Sequence, residues 1–325
     1  MLIGKVSENI LKRSVLRQIK QIKDEIVTGA GLGEDCAVFV SENSVLVSSD
    51  AVTYSKKYTG EHIIYRVVND LAAAGGEPAY VTLNILLPEN ADESELKRLM
   101  KQISETAEQC NVQIIGGHTQ VTNAVNRAIV TATGIGKRNN SHELRATEVK
   151  PGDDIIVTKY IGIEGTVLLA REYTDQLKEK LPRTLIDNAE SMKEMLSIIP
   201  EAAVAVLSDI KSMHDLSEGG IFGGLWELAQ RENIGLKVNM KSIPVKQETI
   251  EICEFFGLNP YQLLSSGSLL VITSDGKNLV NRLQEQNIPA AIIGKVTDNN
   301  DRIVINEDEV RFLDLPKPDE IFHII

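Results

Sequence analysis

Strand-like and helix-like stretches alternate along the first half of the chain, and this alternation limits the available folds more than any other feature. CAVFV (36–40), SVLVSS (44–49), AYVTLNILL (79–87), VQII (112–115) and RAIVTATGIG (127–136) read as strands. Between them, apolar residues at helical spacing predict one helix over 61–74 and another over 92–109. Asp92-x-x-Glu95 opens the second as a capping box. The polar, non-periodic stretch KRNNSHELRATEVKPGDD (137–154) holds a Pro-Gly pair, so a domain boundary is expected there, giving domains 1–145 and 146–325. The second half starts again with DIIVTK (154–159), then GIEGT as a Gly-rich turn opening a helix. Helices near 183–194 and 200–208 follow, then MHDLSEGGIFGGLWELAQ (213–230), two strand–helix units and a strand-rich tail. The expected class is α/β or α+β in two domains, which 325 residues accommodate at about 150 residues each.

Composition narrows the function. With 34 basic against 46 acidic residues the chain carries a net charge of −12, which argues against a nucleic-acid binder that needs a basic face. Local backbone dipoles and bound cations still leave room for a small anionic ligand. Cys36, Cys110 and Cys253 are odd in number and form no CxxC pair, so reduced thiols in a cytoplasm are expected, with no zinc site. No apolar run is long enough to span a membrane. Leu11, Val15, Ile19, Ile22 and Ile26 fall at helical spacing near the N-terminus. Glu8, Asp24 and Glu25 count against a transit peptide there, so an amphipathic helix packed on the domain is expected.

Two nucleotide signatures are missing. There is no GxxxxGK[ST], and neither GAGLGED (29–35) nor GIGKR (134–138) has the dinucleotide-binding spacing. What recurs instead is an acidic residue beside glycine or another small residue. Glu34 and Asp35 follow GAGLG, Asp50 follows SVLVSS, Asp70 sits in NDLAAAGGEP, and Asp215 and Glu218 sit in HDLSEGG. A few carboxylates can bridge a hard cation such as Mg²⁺ to phosphates, and neighbouring glycines expose backbone N–H donors. GGHT (116–119) supplies another such backbone. Each signal has a plainer reading: a turn former or cap for an aspartate, a structural hydrogen bond for His118 or His214, or Asp70 pairing with Arg66 one turn earlier. Four Gly/Asp junctions exceed what turns alone demand.

Taken in order, GLGEDCAV, SSD, NDLAAAGGEP, GGHT, PGDDIIVTK, GIEGT, HDLSEGG and SSGSLL resemble one ATP-dependent superfamily over nearly the whole chain. It contains aminoimidazole ribonucleotide synthetase, selenophosphate synthetase, thiamine-monophosphate kinase and the hydrogenase-maturation protein; GIEGT, HDLSEGG and SSGSLL are most similar to the last. The resemblance implies a homodimer whose N-terminal sheets pair into a barrel core, with ATP in clefts at the interface. It implies Mg²⁺ held by Asp35, Asp50 and Asp70, with Asp70 and Asp215 as catalytic carboxylates. Asn69, Gly116, Gly117, His118 and Thr119 would line the nucleotide site, and the alanines and glycines after Asn69 would keep its wall thin. Gly165 and Thr166, with the turn of Ser217, Glu218, Gly219 and Gly220, would cover it from the second domain. The implied chemistry is transfer of the ATP γ-phosphoryl group to an oxygen of a small acceptor, with other maturation proteins as further partners.

The chain departs from each relative. Hydrogenase-maturation members end in a cysteine that carries the carbamoyl group, whereas here the sequence reads PDEIFHII and the last cysteine is Cys253. Thiamine-monophosphate kinases have an aspartate where His118 stands, and selenophosphate synthetases have a Cys or Sec near an N-terminus that here reads MLIGKVSENI. Two readings follow: an ATP-dependent enzyme with an unidentified acceptor, or a nucleotide-binding scaffold that kept the fold and lost the chemistry.

Overall fold

Buried residues recur at every second position along Ser44–Val52 and Ile129–Arg138, the pattern of a sheet with one covered face. The computed structural model describes residues 26–28, 31–34, 36–40, 44–55, 57–138 and 148–325. The amphipathic stretch before Ile26, Asp35 and the segment 139–147 lie outside the described residues. Six strands form the first sheet: β1 (Ile26–Thr28), β2 (Ala37–Val40), β3 (Ser44–Val52), β4 (Glu77–Leu87), β5 (Gln113–Val121) and β6 (Ile129–Arg138), in the order β1-β2-β3-β6-β4-β5. All neighbours are antiparallel except β4 and β5. Helices α1 (Thr59–Ala73) and α2 (Glu93–Gln109) are the two predicted ones. The cap on α2 forms as expected, Asp92 Oδ1 accepting from the Glu95 N–H at 2.8 Å.

Strand β5 runs further than VQII, and GGHT lies inside it rather than beyond its end. The reason is close approach: a Cβ on Gly117 would stand 2.0 Å from the Leu83 carbonyl oxygen of β4, so glycine lets the two strands pair. A bulge at Ile115 precedes it, with Ile114 opposite Val81 and Gly116 opposite Thr82.

The second sheet has seven strands in the order β13-β12-β9-β11-β7-β10-β8. They are β7 (Asp154–Thr158), β8 (Ile210–Asp215), β9 (Gly235–Asn239), β10 (Leu269–Thr273), β11 (Ala290–Thr297), β12 (Arg302–Asn306) and β13 (Glu309–Phe312). Only β12 and β9 are parallel. The helices of this half are α3 (Ile163–Glu172), α4 (Thr174–Leu177), α5 (Arg183–Ser191), α6 (Ile199–Val206), α7 (Gly220–Glu232), α8 (Gln247–Phe256) and α9 (Gly276–Glu285). MHDLSEGGIFGGLWELAQ therefore divides: its first residues end β8, and the helix starts at Gly220.

The two halves share core. Val52, Ile63, Val67 and Leu83 of the first cluster with Leu168, Leu169, Leu264 and Ile321 of the second. Ala72 and Ala73 pack with Ile198, Ala202, Met213 and Leu269. The small side chains of NDLAAAGGEP thus let the end of α1 approach α6 and the second sheet closely.

Candidate functional site

Successive polar residues on β3 reach across to α1. Ser48 donates a hydrogen bond to Asp70 Oδ2, and Arg66, one turn earlier, places Nε 2.5 Å from Asp50 Oδ2. Residues 48 and 50 share a face of the strand, and 66 and 70 share a face of the helix, so the two rungs are neighbours. This brings the carboxyl groups of Asp50 and Asp70 to one side of the sheet. Arg66 is nearly buried while Asp50 keeps a quarter of its side chain exposed. The Cys36 thiol donates to the Asp70 carbonyl oxygen at 3.3 Å. Asp35, the third predicted carboxylate, lies outside the described residues.

Asn69, next to Asp70, points elsewhere because adjacent helical residues diverge by about 100°. It is fully buried, its Nδ2 donating to the Leu196 carbonyl at 2.9 Å and its Oδ1 accepting from the Ile198 N–H at 3.0 Å. Both ends of the amide therefore tie α1 to the second half.

A second polar contact crosses between the halves. Glu164, in the middle of GIEGT, has no exposure; its Oε1 accepts from the Tyr54 hydroxyl at 2.5 Å and lies 3.0 Å from His62 Nδ1. Burial acts to raise this carboxyl, but His62 and the Arg66 charge overcome it and hold it at about 2. Tyr54 moves the other way, burial and the Glu164 charge pushing its hydroxyl well above the ordinary tyrosine range. Glu164 joins Gly165 and Thr166 of the same motif as a functional residue, and its place between Gly162 and Gly165 is the kind of acid-beside-glycine signal that the sequence offers at Glu34 and Glu218. Lys159 was passed over by the sequence reading. It is buried, donates to the carbonyls of Met195 and Ser197 at 2.8 and 2.7 Å, and pairs with Glu201 at 2.7 Å.

The motif segments of the second half converge on residues 263–268. Ser265 N–H donates to the Ser217 carbonyl at 3.1 Å, Leu216 N–H to Ser268 at 2.9 Å, and Gly165 N–H to Leu264 at 2.9 Å. The Ser265 hydroxyl accepts from Gly162 N–H at 2.8 Å. Gly165 is forced by contact, since a Cβ there would sit 2.3 Å from Leu263 Cγ. Thr166 is buried, its hydroxyl donating to the Gly162 carbonyl at 2.6 Å and lying 2.8 Å from the Thr249 hydroxyl. Asp215 ends β8 opposite Leu269 and is buried, and the turn through Ser217, Glu218 and Gly219 leads into α7 at Gly220. His214 places Nε2 3.0 Å from Glu227 Oε2. From the first half, Gly33 reaches the same helix, its carbonyl accepting from Arg231 Nη1 at 3.2 Å. His118 and Thr119 lie instead on the exposed edge strand β5, with His118 Nε2 3.3 Å from Gln120 Oε1.

Among the described residues no three His, Cys, Asp or Glu side chains are gathered closely enough to hold a metal by themselves, and no helix is long and apolar enough to cross a membrane.

Comparison with known proteins agrees with this architecture. The model for the N-terminal domain of AIR synthase related proteins matches residues 33–137, and the model for their C-terminal domain matches 150–306. A hydrogenase expression/formation protein of Methanocaldococcus jannaschii is 27% identical over 98% of this chain and 96% of its own length. A thiamine-monophosphate kinase of Pyrococcus horikoshii is 28% identical over 87% of this chain and 88% of its own. In structure, the hydrogenase maturation protein HypE in complex with ATP superposes with a TM-score of 0.72 at 20% identity, over 98% of this chain and 97% of that one. At such identity the superposition establishes the fold. The chain belongs to the AIR synthase related family.

Proposed function

We propose that the chain is an ATP-dependent enzyme of this family that transfers the γ-phosphoryl group of ATP to an oxygen of a small acceptor. The observation that supports this reading is the pair of rungs between β3 and α1, Ser48 to Asp70 and Arg66 to Asp50, which hold two of the carboxylates of the motif series on one side of the sheet. The relatives support it: a Rhodobacter capsulatus protein named carbamoyl dehydratase HypE is 29% identical over 67% of this chain, and HypE has been solved with ATP. We divide the chain at 145/146, between the two sheets.

Mg²⁺ commonly uses one or two carboxylates and takes its other ligands from phosphate and water, so Asp50 and Asp70 fit it, with Asp35 as the further proposed ligand. When bound it would neutralise charge on the transferring phosphates. The chain's own part is positioning. Arg66 orients Asp50 and Ser48 orients Asp70, while the turn from Asp215 to Gly220 would wall the site from the second half. A cavity of about 430 Å³ opens beside Gly219, walled by the stacked rings of Phe222 and Tyr261 and by Arg311 and Lys317, a size and lining suited to a small acceptor. Cys253 offers no nucleophile, because burial pushes its thiol up to about 12. Cytoplasmic location, a homodimer and contacts with other maturation proteins complete the proposal; one relative was solved as a HypE–HypF complex.

A thermal-shift series with ATP, with and without Mg²⁺, tests the site. Stabilisation that needs both and is lost in Asp50→Asn supports it, and no shift at millimolar Mg·ATP refutes it. ADP release on addition of candidate acceptors then separates an enzyme from a scaffold that only binds nucleotide.

A further inference from the structure

Residues 314–325 run back along the second half rather than away from it. Ile321 is fully buried, and the Tyr173 hydroxyl donates to the Ile324 carbonyl at 3.1 Å. At the centre of this segment Asp319 has no exposed side-chain surface, which is unusual for a carboxylate with no cation beside it. Three backbone donors face it instead. Its Oδ2 accepts from Gly219 N–H at 2.7 Å, and its Oδ1 from Leu264 N–H at 3.2 Å and Ile321 N–H at 2.9 Å.

The first two donors belong to two of the motif segments described above. Gly219 immediately precedes α7, so its N–H is one of those a helix start leaves without an intrahelical partner. Leu264 carries the carbonyl that binds Gly165 N–H, and its neighbour Ser265 binds Ser217. One side chain thus joins the turn of HDLSEGG to the segment on which GIEGT also rests.

We propose that Asp319 is a positioning residue, whose carboxylate fixes the 215–220 turn against residues 263–265 and so sets the wall that the second half offers to the nucleotide. The role toward nucleotide rests on the function proposed above; the role toward the turn does not.

Charge makes this join conditional. Burial raises the Asp319 carboxyl to about 7 despite the three backbone donors, and Glu218 on the turn adds to the rise. The other ionisable groups near it are Glu320 on its own segment with His323 3.6 Å from it, Lys317 two residues earlier, which donates to Asp314, and Cys253 on α8. As pH falls through about 7 the closed join takes up a proton that the opened, solvated carboxyl would not hold until near 3.8, so the join tightens toward pH 6.

Amide hydrogen exchange on the whole chain between pH 6 and 8 tests this, using Ile161 N–H as the internal reference because it lies off the turn and binds the Pro244 carbonyl. In the wild type, protection of Gly219 and Leu264 relative to Ile161 should rise about tenfold from pH 8 to pH 6. Asp319→Ala, which removes the acceptor, should abolish this pH dependence, leave both amides below the wild-type protection at every pH, and weaken Mg·ATP binding about tenfold at pH 8. Equal protection of the three amides at every pH in the wild type overturns the proposal, with no variant needed. Loss of protection in Asp319→Ala with unchanged Mg·ATP affinity overturns its nucleotide part. If the wild type fails to bind Mg·ATP while the exchange pattern holds, the function proposed above falls and the positioning role stands.

Discussion

Asn69 and Lys159 grip the same loop from opposite halves of the chain. Lys159 takes the carbonyls of Met195 and Ser197, and Asn69 takes the carbonyl of Leu196 and the N–H of Ile198. Four consecutive residues are thus held alternately from the two sides, which fixes how α1 meets α6. Asn69→Ala leaves a buried carbonyl and a buried N–H unpaired and should cost roughly 2–4 kcal/mol. Lys159→Met leaves Glu201 charged and buried, at about 3–5 kcal/mol. Urea unfolding measures both, and a loss below about 1 kcal/mol in each would remove the clamp from the account of stability.

Glu164 predicts an acid-dependent stability. Its carboxyl is held at about 2 in the folded chain against an ordinary 4.5. The unfolded chain therefore binds the proton first, and Glu164 stabilises the fold fully above about pH 4.5 and progressively less as pH falls toward 2. Glu164→Gln should flatten this acid limb and lower stability at neutral pH, because the buried Arg66 loses a nearby counter-charge. Parallel unfolding curves for the two proteins at every pH would show that the carboxylate carries no such linkage.

Gly117 and Gly116 should separate cleanly. A methyl group on Gly117 collides with the Leu83 carbonyl at 2.0 Å, while one on Gly116 meets nothing within 4 Å. Gly117→Ala should unpair β5 from β4 and cost about 1–3 kcal/mol or more; Gly116→Ala should cost clearly less. Thermal melts followed by circular dichroism read the difference, and equal losses would contradict the pairing.

The first sheet leaves Val27, Tyr80, Ile115 and Val121 exposed, with Ile115 and Val121 more than half so. Exposed apolar side chains of this size on one sheet suit a second copy of the chain, as the proposed homodimer requires. Sedimentation at micromolar concentration should find a dimer that Ile115→Lys weakens; a wild-type monomer would exclude the arrangement.

Alternating strands, two amphipathic helices and an Asp92 cap were legible in the sequence because each is decided within a few residues by side-chain period and local hydrogen bonding. The order of the motifs also carried the family. Three-dimensional packing decided the rest. Which way Asn69 faces depends on a loop more than a hundred residues later, and the roles of Glu164, Lys159 and Asp319 depend on what surrounds them once water is excluded. GGHT entered a strand because a neighbouring carbonyl left space only for glycine. Local periodicity is encoded in adjacent residues, whereas desolvation and long-range hydrogen bonding exist only after distant segments meet.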